Sequence, residues 1–191
     1  MAEVRIKPAT RIKPATRIRA ATVRESVELP PELPTHNAPP ANERYNQMVP
    51  YSELLIAAMR QDLTQYGVEE ARTPQDVNRL LAPDSGAVLM IVNSVCGCAA
   101  GRARPAVGLA LQHAARPSKV ATVFAGGDDA AVACLRAKLS GYPPSSPSMA
   151  LFQNGKPVFM LHRTEIERRE PAEIAAILTG AFDQFCIPAH A

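Results

Sequence analysis

Cys96 and Cys98 stand one glycine apart, after an unbroken apolar run from Ala87 to Val92 and a polar step at Asn93 and Ser94. Beyond them the composition turns helical. A buried strand that delivers two sulfurs to the start of a helix is an arrangement for thiol–disulfide exchange. That reaction needs a thiolate, and the first turn of a helix offers unpaired amide donors and a partial positive charge that favour one. Cys96, at the end of the loop, is the expected nucleophile. Cys98, within the first turn, is placed to attack a mixed disulfide formed at Cys96.

The spacing bears on redox behaviour. Helix residues i and i+2 project to nearly opposite sides, and a disulfide needs Cβ atoms about 3.5 to 4.5 Å apart, so a Cys96–Cys98 bond calls for a distorted backbone. Gly97 can supply unusual dihedrals at low steric cost. The small ring is expected to be strained and easily reduced, which suits isomerisation or acceptance of a thiol adduct better than strong reduction. Arg102 and Arg104 follow closely, and two readings stay open for them. They are solvated helix surface, or one of them lowers the pKa of Cys96 or binds carboxylates of a low-molecular-weight thiol by forked hydrogen bonds.

Rival chemistries have less to draw on. A C-x-C pair with His113, His162 or Cys186 falls short of a zinc or iron–sulfur ligand set, because no second C-x-C or C-x-x-C exists and neither histidine has a second histidine or cysteine at i+3 or i+4. No metal is expected. There is no G-x-S-x-G elbow, and Gly126-Gly127 lacks the Lys-Ser/Thr of a phosphate loop. Cys134, among Ala131, Val132 and Leu135, reads as a buried inert thiol.

The elements that must hold the pair can be laid out from patterning. Leu54, Leu55, Ala58, Met59, Leu63 and Tyr66 fall at helical spacing and predict an amphipathic helix of about four turns, closed by Gly67. Residues 68–72 suggest an edge strand. Thr73 and Pro74 open a second helix with Val77, Leu80 and Leu81 inward. The apolar run then makes the strand before the cysteines, and residues 99–115 a helix interrupted at Pro105. Residues 119–125 predict a second buried strand, and Asp128 or Asp129 caps a helix to about Ser140 with Ala131, Val132, Leu135 and Leu139 inward. Residues 149–153 and 157–162 form a hairpin about Asn154-Gly155, and the last helix covers 170–185. Strands joined through helices run parallel, and the hairpin adds an antiparallel pair. This α/β order, a central mixed sheet with helices on both faces in three layers, is that of the thioredoxin-like fold, with the cysteines where that fold keeps its active site.

Two segments carry a closer resemblance. S-S-P-S-M-A-L-F-Q-N-G-K, from Ser145, resembles the stretch in which thioredoxin-like proteins place a proline after a cis peptide bond, against the active-site sulfurs; Pro147 is the position carried over. The block N-S-V-C-G-C-A-A-G-R-A-R-P, from Asn93, together with the downstream Y-P-P-S-S-P-S and the N-terminal helix, resembles the bacilliredoxin family of bacterial proteins over roughly residues 45–188. The resemblance implies removal of bacillithiol from S-bacillithiolated client proteins, with bacillithiol as thiol co-substrate, no bound cofactor, and Arg102 or Arg104 facing the malate carboxylates of that thiol. General disulfide isomerisation is the alternative. Family members often carry a cysteine near the C-terminus, which implies a resolving or accessory role for Cys186; packing beside Phe182 and Phe185 is the other reading.

Composition sets the outer bounds. The chain has 191 residues, 47% of them hydrophobic and 20% charged, which fits one soluble domain with an appendage. Its net charge of +3 is uneven: residues 1–24 hold seven basic side chains against Glu3, a balance of +6 that leaves −3 on residues 25–191. The R-I-K-P-A-T repeat at Arg5 and Arg11 and the prolines through Pro40 mark residues 1–44 as a disordered basic extension and 45–191 as the thioredoxin-like domain. A basic arm or an organellar presequence is the alternative for the extension, and Met48 is a second candidate start. No aromatic residue precedes Tyr45, so no nucleic-acid partner is expected. No segment has the roughly 18 to 20 consecutive apolar residues of a membrane span, and a cytoplasmic protein with reduced cysteines is the expectation.

Overall fold

The apolar run from Ala87 becomes the middle of a sheet because it can be covered on both sides. The structure, a computed structural model, describes residues 51–186. The expected boundary at residue 44, the reading of residues 1–44 and the second start at Met48 lie outside them. The elements are α1 (Glu53–Thr64), β1 (Glu69–Glu70), α2 (Pro74–Leu80), β2 (Ala87–Asn93), α3 (Arg104–Ala110), β3 (Lys119–Phe124), α4 (Asp129–Lys138), β4 (Ser148–Gln153), β5 (Lys156–Leu161), α5 (Arg163–Ile166) and α6 (Pro171–Phe185), with a π-helical turn, Ala99–Ala103, leading into α3. The strand order is β1-β3-β2-β4-β5. β2 runs parallel to β3 and antiparallel to β4, and β4 and β5 pair antiparallel. Asn154 and Gly155 both take positive φ, 50° and 75°, as a two-residue hairpin turn of this twist requires.

Alternation along β2 divides the core. Leu89 and Ile91 face a cluster with Val107 of α3 and Ile174, Leu178 and Phe182 of α6. Val88, Met90 and Val92 face the opposite cluster, with Val77 and Leu80 of α2 and Val132 and Leu135 of α4. Helices thus cover both faces of a mixed sheet, the three-layer thioredoxin-like arrangement.

Two local expectations are corrected. In α1 the inward residues are Ile56, Arg60 and Leu63, whereas Leu54 and Leu55 are 93% and 52% exposed and Tyr66 is also exposed. A charged residue fills one position of the inward stripe. Arg60 binds Asp128 through both guanidinium ends at 2.8 and 2.9 Å, meets Glu53 and Glu70 at 3.0 and 3.2 Å, and lies 5.1 Å from the centroid of the Phe124 ring. Burial pulls its pKa down, but the Asp128 hydrogen bonds and the three carboxylate charges outweigh that and raise it. Gly127 leaves room for Ile56 beside Arg60: a Cβ there would lie 2.6 Å from Ile56 Cδ1, which would have to shift.

The helix after the cysteines is continuous from residue 97 but ends at Ala110, not 115. Ahead of Pro105 it widens, and the Arg104 amide bonds the carbonyl of Ala99, five residues back. A proline ring clashes with the carbonyl four residues before it and leaves one bond unmade; the wider turn relieves both.

Asp128→Ala would leave the buried Arg60 charge with only its two more exposed partners. The expected loss is about 3 kcal/mol of unfolding free energy, read by urea denaturation.

Candidate active site

The cysteine loop is fastened from beneath by polar side chains. Asn93, the last residue of β2, is buried, donates from Nδ2 to the Met59 carbonyl at 3.1 Å and accepts at Oδ1 from the Ser94 amide at 2.9 Å. Arg104 Nη1 donates to that same Oδ1 and to the Ser94 carbonyl, each at 3.1 Å. Its Nε lies 3.0 Å from Asp62 Oδ2, as a charge contact whose angle does not make a hydrogen bond. Burial lowers the Arg104 pKa and Asp62 opposes it. The guanidinium remains a cation.

On this base Cys96 caps the helix. Its carbonyl accepts from the Ala99 and Ala100 amides at 3.0 and 3.2 Å, and its sulfur accepts from the Ala99 amide at 3.3 Å. Sulfur here takes the place of the usual capping oxygen, so one of the orphan amides of the first turn points at the Cys96 sulfur. Ser94 Oγ lies 3.3 Å from the same sulfur. Both donors favour a thiolate. Cys96 and Cys98 are joined as a disulfide, with Cα atoms 5.4 Å apart. The unusual dihedrals expected of Gly97 are absent: its φ is not positive, residues 97 and 98 are helical, and the departure from α geometry falls in the π turn just beyond.

Cys96 borders an open cleft of about 240 Å³, walled by Ser94 and Val95, by Ala125, Gly126, Asp129, Val132 and Arg136 around the start of α4, and by Tyr51, Ser146 and Arg163. Cys98 is half-buried and does not line it. The Ser146–Pro147 peptide bond is cis, and Ser148 pairs with Val92, which sets Pro147 beside the end of β2. The sheet register therefore brings Pro147 and the cysteines together from distant parts of the chain.

The remaining residues singled out in the sequence lie elsewhere. Arg102 is held by the Arg169 carbonyl at 2.6 Å and Glu170 Oε1 at 2.8 Å, at the start of α6. Neither it nor Arg104 lines the cleft. Cys186 follows α6, whose 15 residues span about 22 Å from that start. Its neighbour Phe185 borders the same open pocket as Gly86 and Ala87, at the opposite end of β2 from the pair. Cys186 is 7% exposed, packs within the core, and burial pushes its thiol up to about 11. Cys134 is half-buried on α4 near the Pro74 carbonyl. His113 pairs with Asp183 at 2.7 Å and His162 precedes α5 as its cap. Among the described residues no group of three or more His, Cys, Asp or Glu is placed to hold a metal ion. Arg136, Arg163 and Tyr51 are the cleft residues that sequence reasoning missed. They come from three separate elements and share no motif.

Between 9.0, the ordinary thiol value, and about 11, Cys186 keeps its proton in the folded protein and has lost it in the unfolded chain. Its contribution to stability is complete below pH 9 and disappears as pH rises through 11. Urea midpoints should therefore fall over that window, and Cys186→Ala should flatten the fall. Iodoacetamide at pH 8 should label reduced Cys96 well before Cys186.

Comparison with known proteins identifies the family. The family described as "Disulphide isomerase" matches residues 51–186. A bacilliredoxin of Koribacter versatilis is 45% identical over 136 residues, 71% of this chain and 94% of that one. A bacilliredoxin of Salinibacter ruber is 48% identical over 140 residues, 72% of this chain and 81% of that one, and one of Shouchella clausii is 44% identical over 71% and 94%. Among solved structures, the thioredoxin of Malassezia sympodialis superposes with a TM-score of 0.44 at 14% identity, over 62% of this chain and 90% of that one; the fold assignment rests on the strand order and layers above. With its helix-capping Cys96, its Cys98 partner and these relatives, the chain belongs to the bacilliredoxin family and is a thiol–disulfide oxidoreductase of thioredoxin-like fold.

Proposed function

We propose that the protein removes bacillithiol from S-bacillithiolated protein cysteines in the cytoplasm. The observation that carries this reading is the placement of one sulfur: Cys96 borders the open cleft under the Ala99 amide, while Cys98 stands behind it in the first helical turn. The Cys96 thiolate attacks the bacillithiol sulfur of the mixed disulfide. A new S–S bond forms, the old one breaks, and the client leaves as a thiolate that takes a proton from water. No net oxidation occurs in this step. Cys98, or a second molecule of bacillithiol, then displaces the adduct. When Cys98 does so, the product is the Cys96–Cys98 disulfide and free bacillithiol, and a dithiol reductant must restore the pair.

A general disulfide isomerase is the second reading, favoured by the description of the matching family. Both use Cys96 as nucleophile, and neither calls for a bound metal or cofactor. Among the described residues no helix is long and apolar enough to cross a membrane.

The order of attack is tested by mass spectrometry of Cys96→Ala and Cys98→Ala proteins incubated with a bacillithiolated client. Cys98→Ala should accumulate bacillithiol on Cys96, and Cys96→Ala should form no adduct and release no client. Absence of the adduct in Cys98→Ala overturns the assignment. Rearrangement of scrambled disulfides at a rate exceeding bacillithiol removal moves the conclusion to the isomerase.

A further inference from the structure

The cleft in front of Cys96 carries more positive than negative charge, and among the described residues one of its cations forms no ion pair. Asp129, Val132 and Arg136 lie at i, i+3 and i+7 on one face of α4, and all three border the cleft. Side chains on a helix lean toward its N-terminus, so Arg136 leans back along that face toward the cleft mouth. Arg136 is exposed. Among the described residues the arginines engaged in ion pairs are Arg60, Arg72, Arg79, Arg102, Arg104 and Arg163, and Arg136 is not one of them.

The other charged groups at the cleft are already occupied. Arg163 binds Glu167 through Nε at 3.2 Å and donates to the Ser146 carbonyl, just before the cis bond, at 3.4 Å. Asp129 is the single carboxylate lining the cleft, and its Oδ1 accepts from the Gly126 amide at 3.2 Å. Arg136 also borders an adjoining apolar pocket of about 160 Å³ with Leu139, Tyr142, Pro144 and Met160. It therefore stands where the polar cleft at Cys96 meets an apolar hollow. A free guanidinium there fits a planar anion.

We propose that Arg136 is the specificity residue of the exchange site. It binds a carboxylate of the low-molecular-weight half of a mixed disulfide by a forked, charge-assisted hydrogen bond, and so turns that half's sulfur, rather than the client's, toward Cys96. This rests on the adduct-removing reading above. The step remains an exchange: Cys96 bonds to the small thiol's sulfur, the original S–S bond breaks, and the client departs as a thiolate and is protonated by water. Attack on the client's sulfur would instead expel the small thiol and leave client and enzyme joined. A carboxylate anchor beside Cys96 distinguishes the two outcomes by position alone.

The test compares one client cysteine carrying either bacillithiol, which has carboxylates, or 2-mercaptoethanol, which has none. For the wild type, kcat/KM should favour the bacillithiol adduct. In Arg136→Gln the ratio of the two kcat/KM values should fall about tenfold, as expected for losing one solvent-screened charged hydrogen bond, and Arg136→Lys should recover part of it. In a Cys98→Ala background, Arg136→Gln should also raise the fraction of Cys96 found joined to client relative to Cys96 bearing bacillithiol. An unchanged ratio, or an equal fall for both adducts, overturns the role of Arg136 while leaving bacillithiol removal in place. A wild type that leaves the bacillithiol adduct intact while releasing 2-mercaptoethanol overturns the functional reading and this inference together.

Discussion

The buried guanidinium of Arg104 is the constraint on which the cysteine loop depends. Removing an unmatched charge from water costs several kcal/mol, so a chain that places Arg104 at 4% exposure must supply acceptors around it. The acceptors are Asn93 Oδ1 and the Ser94 carbonyl, with the Asp62 carboxylate as counter-charge, and both acceptors belong to the segment that leads into Cys96. The conformation of that segment is therefore set by what the guanidinium needs. The π turn is part of the same device. One extra residue in a helix rotates everything after it by about 100°, so without the wider turn at Ala99–Ala103 Arg104 would point to another side of the helix. Pro105 makes the wider turn favourable at that point, because a regular turn would clash with its ring. A feature that reads as a helix interruption serves to aim a charge.

Arg60 does for the cleft what Arg104 does for the loop. It draws together Glu53 at the start of α1, Glu70 on β1 and Asp128 just before α4, and Asp128 in turn accepts the Phe124 amide at 2.8 Å. The turn that includes Ala125 and Gly126 is thereby fixed, and the Tyr51 amide donates to the Gly126 carbonyl at 2.6 Å. The side of the cleft formed by this turn and the start of α4 rests on the cluster. The sulfur itself receives only one amide and one hydroxyl, yet Ser94 beside it and the turn across the cleft are each positioned by a buried arginine. Supporting groups held this firmly keep a weakly bonded reactive atom in place without binding it tightly.

The order of elements could be read from the sequence almost completely, and physical reasons separate what could be read from what could not. The apolar run to Val92, the Thr73-Pro74 start of α2 and the Asn154-Gly155 turn are local signals, each decided by a few adjacent residues. Thr73 and Asp76 do form a reciprocal capping box. The phase of α1 failed because apolar periodicity treats a charged residue as outward, and Arg60 turns inward to meet partners as far as 68 positions away. Gly97 was expected to take unusual dihedrals for a related reason: pair spacing was weighed against an ideal α-helix, and the π turn that begins two residues later depends on Pro105. In the candidate site, Cys96 and Cys98 stand out in the sequence by type and spacing. Arg136 and Arg163 do not, since only the fold brings the last turn of one helix and the start of another to the same cleft.

Placement also bears on what kind of exchange the pair is suited to. Thiol–disulfide exchange between similar thiols moves no net electrons, so its outcome is governed by which sulfur is approached and from which side. An enzyme for such a reaction gains more from orientation than from an extreme potential. The site is built accordingly. Both cysteines are half-buried, but only Cys96 lines the cleft. The cis-peptide segment at Ser146 closes one side, held by Arg163, and the start of α4 closes another, held through Asp128 by Arg60. Neither wall contributes a group that could accept or donate electrons. Both limit the directions from which a disulfide can reach Cys96, and with Cys98 kept off the cleft an incoming disulfide meets a single sulfur.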